Sequence, residues 1–325
     1  MALQDIYGLQ GVTHYNKDYL NKHIKYGTCE FFRWALLCHG AFQNISANQA
    51  NVFGGRRDIL RMASDPRYTD GQVWEGFKGD WVWETGVPTD YISSQPIRVS
   101  GVYVDDTFYS ISTTGDYAHT VDYPRGRIIF DSAIPTTSTV RTEFSIRDVS
   151  FVESVQPHFQ KLLWEADRTD REDFLAPSGN WSALAETRLA LPVVGVGVIP
   201  RRRMEGWELG GSQAVDQDIS FVVLSDNDDD IDKLVDIVTY QHDKTIWLPN
   251  KNRMKENADW PLDFEGSPVA NAKTYPQLIQ SYDDGGYRWR RLFFKRAAVD
   301  EINVKNPHFY AAFVRMTGEI IMPDL

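Results

Sequence analysis

The sequence predicts an α+β fold: an N-terminal helical and β-rich, sandwich-like region, then a C-terminal α+β domain with a mixed or antiparallel sheet and a packed helix. Three observations predict it. Residues 96–153 hold alternating apolar runs separated by turn chemistry, the pattern of short strands. "DISFVVLS" (218–225) is a mostly apolar strand, and after it Ile231, Leu234, Val235 and Val238 form the i, i+3, i+4, i+7 stripe of an amphipathic helix. The closing runs "YRWRRLFFKRAAV" (287–299) and "PHFYAAFVRMTGEII" (307–321) read as further strands. A chain of 325 residues exceeds the usual single-domain size. The expected divisions are 1–95 (arm, helices and a Trp-rich segment), 96–153 (β-rich), 154–182 (connection) and 183–325 (α+β).

Residues 1–25 are polar and tyrosine-rich, without a clear period, and suit an extended arm. "TCEFFRWALLCHGAF" (28–42) has helical period and stops near Gly40, while 48–68 predicts a loop and a short helix ended by Pro66. Three Trp fall between residues 71 and 87, where they could pack a sheet, pack a neighbouring subunit or stack sugars. Packing is the commoner fate. In "YPRG" (123–126), Pro124 suits the first central position of a type I turn and Gly126 its last, so 117–130 is an expected hairpin. "KTIWLPNKN" (244–252) predicts a short strand followed by a Pro- and Asn-rich excursion, and Thr317–Gly318 predicts a tight hairpin.

The stretch "SDNDDDID" (225–232) invites a calcium reading, because Asp226, Asp228 and Asp230 place oxygens at alternate positions. The template then needs Gly at the turn and a closing Glu, and the chain has Ile231 and Ile237 there. Helix initiation is the better reading. Ser225, Asp226, Asp228 and Asp229 are the cap candidates, and carboxylates there complement the positive end of the helix dipole.

Composition excludes some functions. A formal charge of −11 argues against general affinity for nucleic-acid phosphate. Cys29 and Cys38, on one helix, would lie about 13 Å apart along its axis, too far for a disulfide, and no close Cys pair has zinc spacing. The opening "MALQDIYGLQ" lacks a charged-then-apolar signal, so a reducing, cytoplasmic origin is expected. There is no G-x-S-x-G elbow, phosphate loop or His-Glu-x-x-His motif. The expectation is a protein with no catalytic, cofactor or metal residues. The triplet Arg201–Arg202–Arg203 stands out against the acidic chain, as phosphate ligands, a solvated loop, or cations for carboxylates across a subunit boundary.

The block "PVVGVGVIPRRRMEGWELGGSQAVDQDISFVVLSDNDDDIDKLVDIV" resembles tail-terminator and related neck proteins of tailed bacteriophages, with Glu208–Gly211 as the turn, Asp218–Ser225 as the second strand and Ile231–Val238 as the helix. "GVYVDDTFY…YAHTVDYPRGRIIFDSAI" is similar to β-rich segments of virion proteins from phages with contractile tails. The resemblance implies a virion protein, assembled in the host cytoplasm, that forms a ring, commonly sixfold, at the head-proximal end of the tail. Its implied partners are copies of itself, tail tube, sheath and connector proteins, with DNA passing through unbound. Arg201, Arg202, Arg203, Trp207, Glu208 and Leu209 are the interface candidates. Another neck or connector ring and a baseplate protein remain alternatives. From other classes come a carbohydrate-binding host-recognition protein and a glycosidase.

Overall fold

The computed structural model describes residues 14–47, 56–157, 159–160, 163, 191–206, 213–301 and 310–322. The chain runs α1 (Leu20–Cys38), β1 (Phe42–Ile45), β2 (Arg61–Met62), β3 (Val73–Glu75), β4 (Gly101–Val104), β5 (Thr107–Ser110), β6 (His119–Asp122) and β7 (Arg127–Phe130). It continues through β8 (Val140–Arg141), β9 (Phe144–Arg147), β10 (Ser150–Glu153), β11 (Val193–Gly206), β12 (Gln213–Ser225) and α2 (Asp228–Thr239). The last elements are β13 (Thr245–Pro249), α3 (Lys251–Glu256), α4 (Tyr275–Leu278), β14 (Arg288–Glu301) and β15 (Tyr310–Met322). Strand dominates.

Two large cores account for this order. The first belongs to a six-stranded mixed sheet, β10-β11-β12-β15-β14-β13, in which only the β10–β11 pair is parallel. Its inner face presents Val194, Val196, Val215, Ile219, Phe221, Val223, Val314 and Met316, alternate residues of three strands. The helix α1 covers that face with Leu20, Ile24, Phe31 and Phe32, and α2 adds Ile231, Leu234 and Val238. Both edge strands, β10 and β13, touch α1, so the sheet curls around that helix. Gly27 permits the approach: a Cβ there would stand 2.6 Å from Leu248 Cδ2 of β13. The expected helix at 28–42 therefore begins earlier and is part of the C-terminal core.

The second core draws on β1 to β9, with Ile45, Leu60, Trp74, Trp81, Val102, Val121, Phe130 and Phe144 all buried. It spans 42–147, so the expected division at residue 95 does not separate two cores. Likewise Ser150–Glu153, grouped by sequence with the β-rich segment, pairs instead with Val193–Val196 of the large sheet. The 117–130 hairpin forms as expected, with β6 and β7 antiparallel and Gly126 N donating to Tyr123 O at 3.2 Å. Gly126 has φ +64, a conformation that favours glycine.

Three expectations fail. Between Arg56 and Pro66 there is no helix but the short strand β2, because Asp58, Leu60 and Ala63 turn inward and Leu60 N donates to Val140 O at 2.8 Å. The helix expected there otherwise lies on 48–55, outside the described residues. The segment after β13 is not simply an excursion, since Asn250 caps the helix α3 by accepting from Arg253 N at 3.2 Å. Thr317–Gly318 is no hairpin: both sit mid-strand in β15, opposite Asp218 and Gln217. The glycine serves a close contact, because a Cβ on it would lie 2.5 Å from Leu292 Cδ1.

The acidic junction starts α2, but its cap is Asn227, whose side chain accepts from Asp229 N at 2.9 Å. None of the four cap candidates holds that role. Ser225 is buried at the end of β12 and its hydroxyl accepts from Asn227 N at 3.2 Å. Asp226 precedes the cap, and Asp228 and Asp229 already lie in the first turn. Asn227→Ala should cost about 1 kcal/mol of stability, read as a lowered urea midpoint. Asp226→Ala, which removes no cap, should cost less. The reverse order would show that the cap is misassigned.

Candidate functional site

The candidate site is a groove of about 400 Å³ on the outer face of the large sheet, lined by parts of Arg201–Arg203, Asp216, Asp218, Arg296, Arg315 and Thr317. Strand alternation builds it. On β12 the inward Val215, Gln217 and Ile219 leave Asp216 and Asp218 facing out. On β15 Val314 and Met316 turn inward, leaving Arg315 and Thr317 outside, and Arg296 is the β14 partner of Thr317. The face opposite an apolar core thus becomes a row of charges.

A bulge sets the arginine triplet. Val198 pairs with Ile219 and Arg202 with Gln217, so Ile199, Pro200 and Arg201 together face Asp218 alone. Pro200 lacks an N–H and fits such a break in the ladder. Gln217 is buried beneath it and donates from Nε2 to Ile199 O at 2.7 Å and Arg201 O at 3.1 Å. Its Oε1 accepts from Arg202 Nε at 2.8 Å. One side chain thus satisfies two carbonyls and orients an arginine. Gln217→Leu would strip those partners and should cost about 1–3 kcal/mol, measured by urea unfolding. A change under a few tenths would remove the bulge-holding role.

The three arginines do not act as one patch. Arg202 turns towards α1 and bonds the Asn21 side chain, and burial pushes its pKa down. Arg203 pairs with Glu205 at 2.5 Å, both largely exposed. Arg201 has no carboxylate partner among the described residues. Trp207, Glu208 and Leu209 lie outside the described residues.

Arg296 and Arg315 were missing from the sequence reading. They too lack a carboxylate partner among the described residues. The acids beside them are engaged elsewhere: Asp216 with Lys295 at 3.1 Å, Asp218 as acceptor from the Thr317 hydroxyl at 2.8 Å. Lys295 also reaches Glu319 at 2.5 Å, and the hydrogen bond to Glu319, reinforced by the contact with Asp216, raises its pKa. The groove therefore offers guanidinium groups with open bonding capacity, suited to planar carboxylate or phosphate acceptors. The outer half of β11, from Ile199 to Gly206, pairs with no strand but β12 among the described residues. Its arginines also discourage indiscriminate edge pairing.

A second cleft of about 430 Å³ lies between α1, the β6–β7 turn and residues 262–266. Several of its charges satisfy one another, Arg33 with Asp80 at 3.0 Å and Arg125 with Asp122 at 2.9 Å. Lys25 and Lys251 hold Glu153 at 3.5 and 3.6 Å. Burial raises the pKa of Glu30 on its wall. The Trp-rich segment presents no sugar platform, since Trp74, Trp81 and Trp83 are all buried, with Trp74 and Trp81 donating their indole N–H groups to Gly71 O and Lys78 O. Among the described residues no helix is long and apolar enough to cross a membrane. Scanned against protein-family models and compared with curated proteins, the chain matches no family and no curated protein.

Proposed function

We propose that this chain is a structural subunit of a contractile-tailed bacteriophage virion, forming a ring at the head-proximal end of the tail as a tail terminator, without catalytic activity. The observation that carries the reading is the unit from Val193 to Thr239, two antiparallel strands followed by a helix, in the order of the resembling neck proteins. Gly206 at the end of β11 pairs with Gln213 at the start of β12, and Glu208–Gly211 between them lie outside the described residues. The surface chemistry supports the same reading. Arginines without a carboxylate partner among the described residues, on an otherwise acidic chain, suit protein contacts, and net charge −11 suits a channel past which DNA moves without being held.

The experiment is localisation in the particle. Mass spectrometry of purified virions should find the chain, and electron microscopy should place its density as a closed ring between connector and tail tube. Density in the baseplate would overturn the terminator assignment, and absence from virions would overturn the structural role altogether.

A further inference from the structure

We infer that the arginine groove receives the acidic start of helix α2 from a second copy of this chain. The proposal deepens the ring reading and rests on it for a closed assembly. The groove supplies Arg201, Arg296 and Arg315, none with a carboxylate partner among the described residues. The helix start supplies Asp226, Asp228 and Asp229, all exposed and without an ion pair within 4 Å among the described residues, although Lys78 stands near enough to interact with Asp226. Nearby Asp230 contacts Lys233 only at 4.0 Å. Each patch holds what the other lacks.

They cannot meet within one subunit. Asp218 in the groove and Ser225 before the helix lie seven residues apart on β12, about 23 Å at 3.3 Å per residue. That exceeds the screening length of about 8 Å at physiological salt. They also lie on opposite faces of the sheet, since α2 packs on the inner face and the groove opens on the outer one. Two different patches that complement each other across copies make a head-to-tail contact, the kind that generates rings or filaments. Guanidinium forks match the paired oxygens of aspartate. Duplex DNA, with its dense and continuous phosphate charge, fits a chain of net charge −11 less well than a short run of three aspartates.

Charge exchange tests the contact. One variant carries R201E, R296E and R315E; the other carries D226K, D228K and D229K. Sedimentation velocity at low salt should show wild-type self-association that weakens as salt rises. Each variant alone should stay monomeric, and an equimolar mixture should associate again, because each then offers the other a complementary patch. Wild-type protein that stays monomeric at its highest soluble concentration in low salt overturns the proposal. So does either variant associating as wild type, or a mixture of two folded variants that stays monomeric. If a reversal variant fails to fold, R296Q/R315Q and D228N/D229N replace the pair. Each should weaken association at least about tenfold, and unchanged association overturns the contact. Wild-type assembly by the R201E/R296E/R315E chain together with lost duplex-DNA binding would reassign the groove to phosphate. Absence from virions would remove the neck assignment and leave the contact standing, whereas failed charge exchange would do the reverse.

Discussion

Trp81→Ala should lower the unfolding free energy by about 3–5 kcal/mol, the usual cost of truncating a large buried aromatic side chain. The indole is fully buried and lies against Phe144, ring centroids 4.2 Å apart at 22°. Its N–H donates to Lys78 O at 2.9 Å, so truncation also leaves that carbonyl without this donor. The surroundings cannot readily collapse into the space. Gly76 and Gly126 fit closely against the ring, a Cβ on either falling 2.8 or 2.7 Å from it. Trp81 N also donates to Tyr123 O at 2.8 Å, which ties the residue to the β6–β7 turn. Against a typical total stability of about 5–15 kcal/mol, such a loss is a large fraction. Urea unfolding measures it, with Tyr91→Ala as the exposed aromatic control, expected to change little. A loss below about 1 kcal/mol would contradict the central place given to this indole.

The same residue shows what the sequence carried. Three Trp among glycines and charges suggested packing, and packing is their fate, yet nothing local said which core they fill. Local signals worked where the cause is local. The "YPRG" turn and the apolar stripe of α2 each depend on residues within a few positions of one another. Signals with a distant cause misled. Gly318 looked like turn chemistry, but its requirement comes from Leu292 on the neighbouring strand. The cap of α2 was ambiguous for a different reason. Several neighbouring side chains could accept a bond, and the choice fell to Asn227, whose backbone is extended at φ −140 and ψ 133 just before the first helical turn.

The groove illustrates the limit most directly. Arg201–Arg203 were visible as a triplet, but the bulge at Val198–Arg202 sends Arg202 to the opposite side. Arg296 and Arg315 join Arg201 only because β11, β12, β15 and β14 lie side by side in that order. Alternating basic residues in "YRWRRLFFKR" were the one available hint that β14 has a cationic face. Contacts cross the expected domain divisions for the same physical reason. Strand β10 finds its partner in β11 across a long connection, and α1 packs on a sheet whose strands follow it by more than a hundred residues.

Arg147→Ala should cost about 3–5 kcal/mol, the range for removing one partner of a buried ion pair. Arg147 is only 2% exposed and Glu84 only 5%. The guanidinium bonds Glu84 through Nη2, lies 3.4 Å from Asp80 through Nε, and donates from Nη1 to Arg33 O at 3.2 Å. Arg33 closes the group by bonding Asp80 at 3.0 Å. The group forms a seam: Arg33 belongs to α1 on the large sheet's core, while Arg147 ends β9 on the other core. Removing the guanidinium leaves Glu84 buried without its cation and cuts a tie between the two cores. The cost should therefore come mainly from the abandoned carboxylates, not from the lost packing of the arginine stem. Arg147→Met alone restores apolar volume but leaves the stranded charge, and adding Glu84→Gln removes that charge, so comparing the two separates those terms. That double variant should recover at least half of the stability lost by Arg147→Ala, as replaced buried pairs often do. Unfolding by urea at neutral pH decides it. Equal losses in Arg147→Met and in the double variant would refute the electrostatic account of the seam.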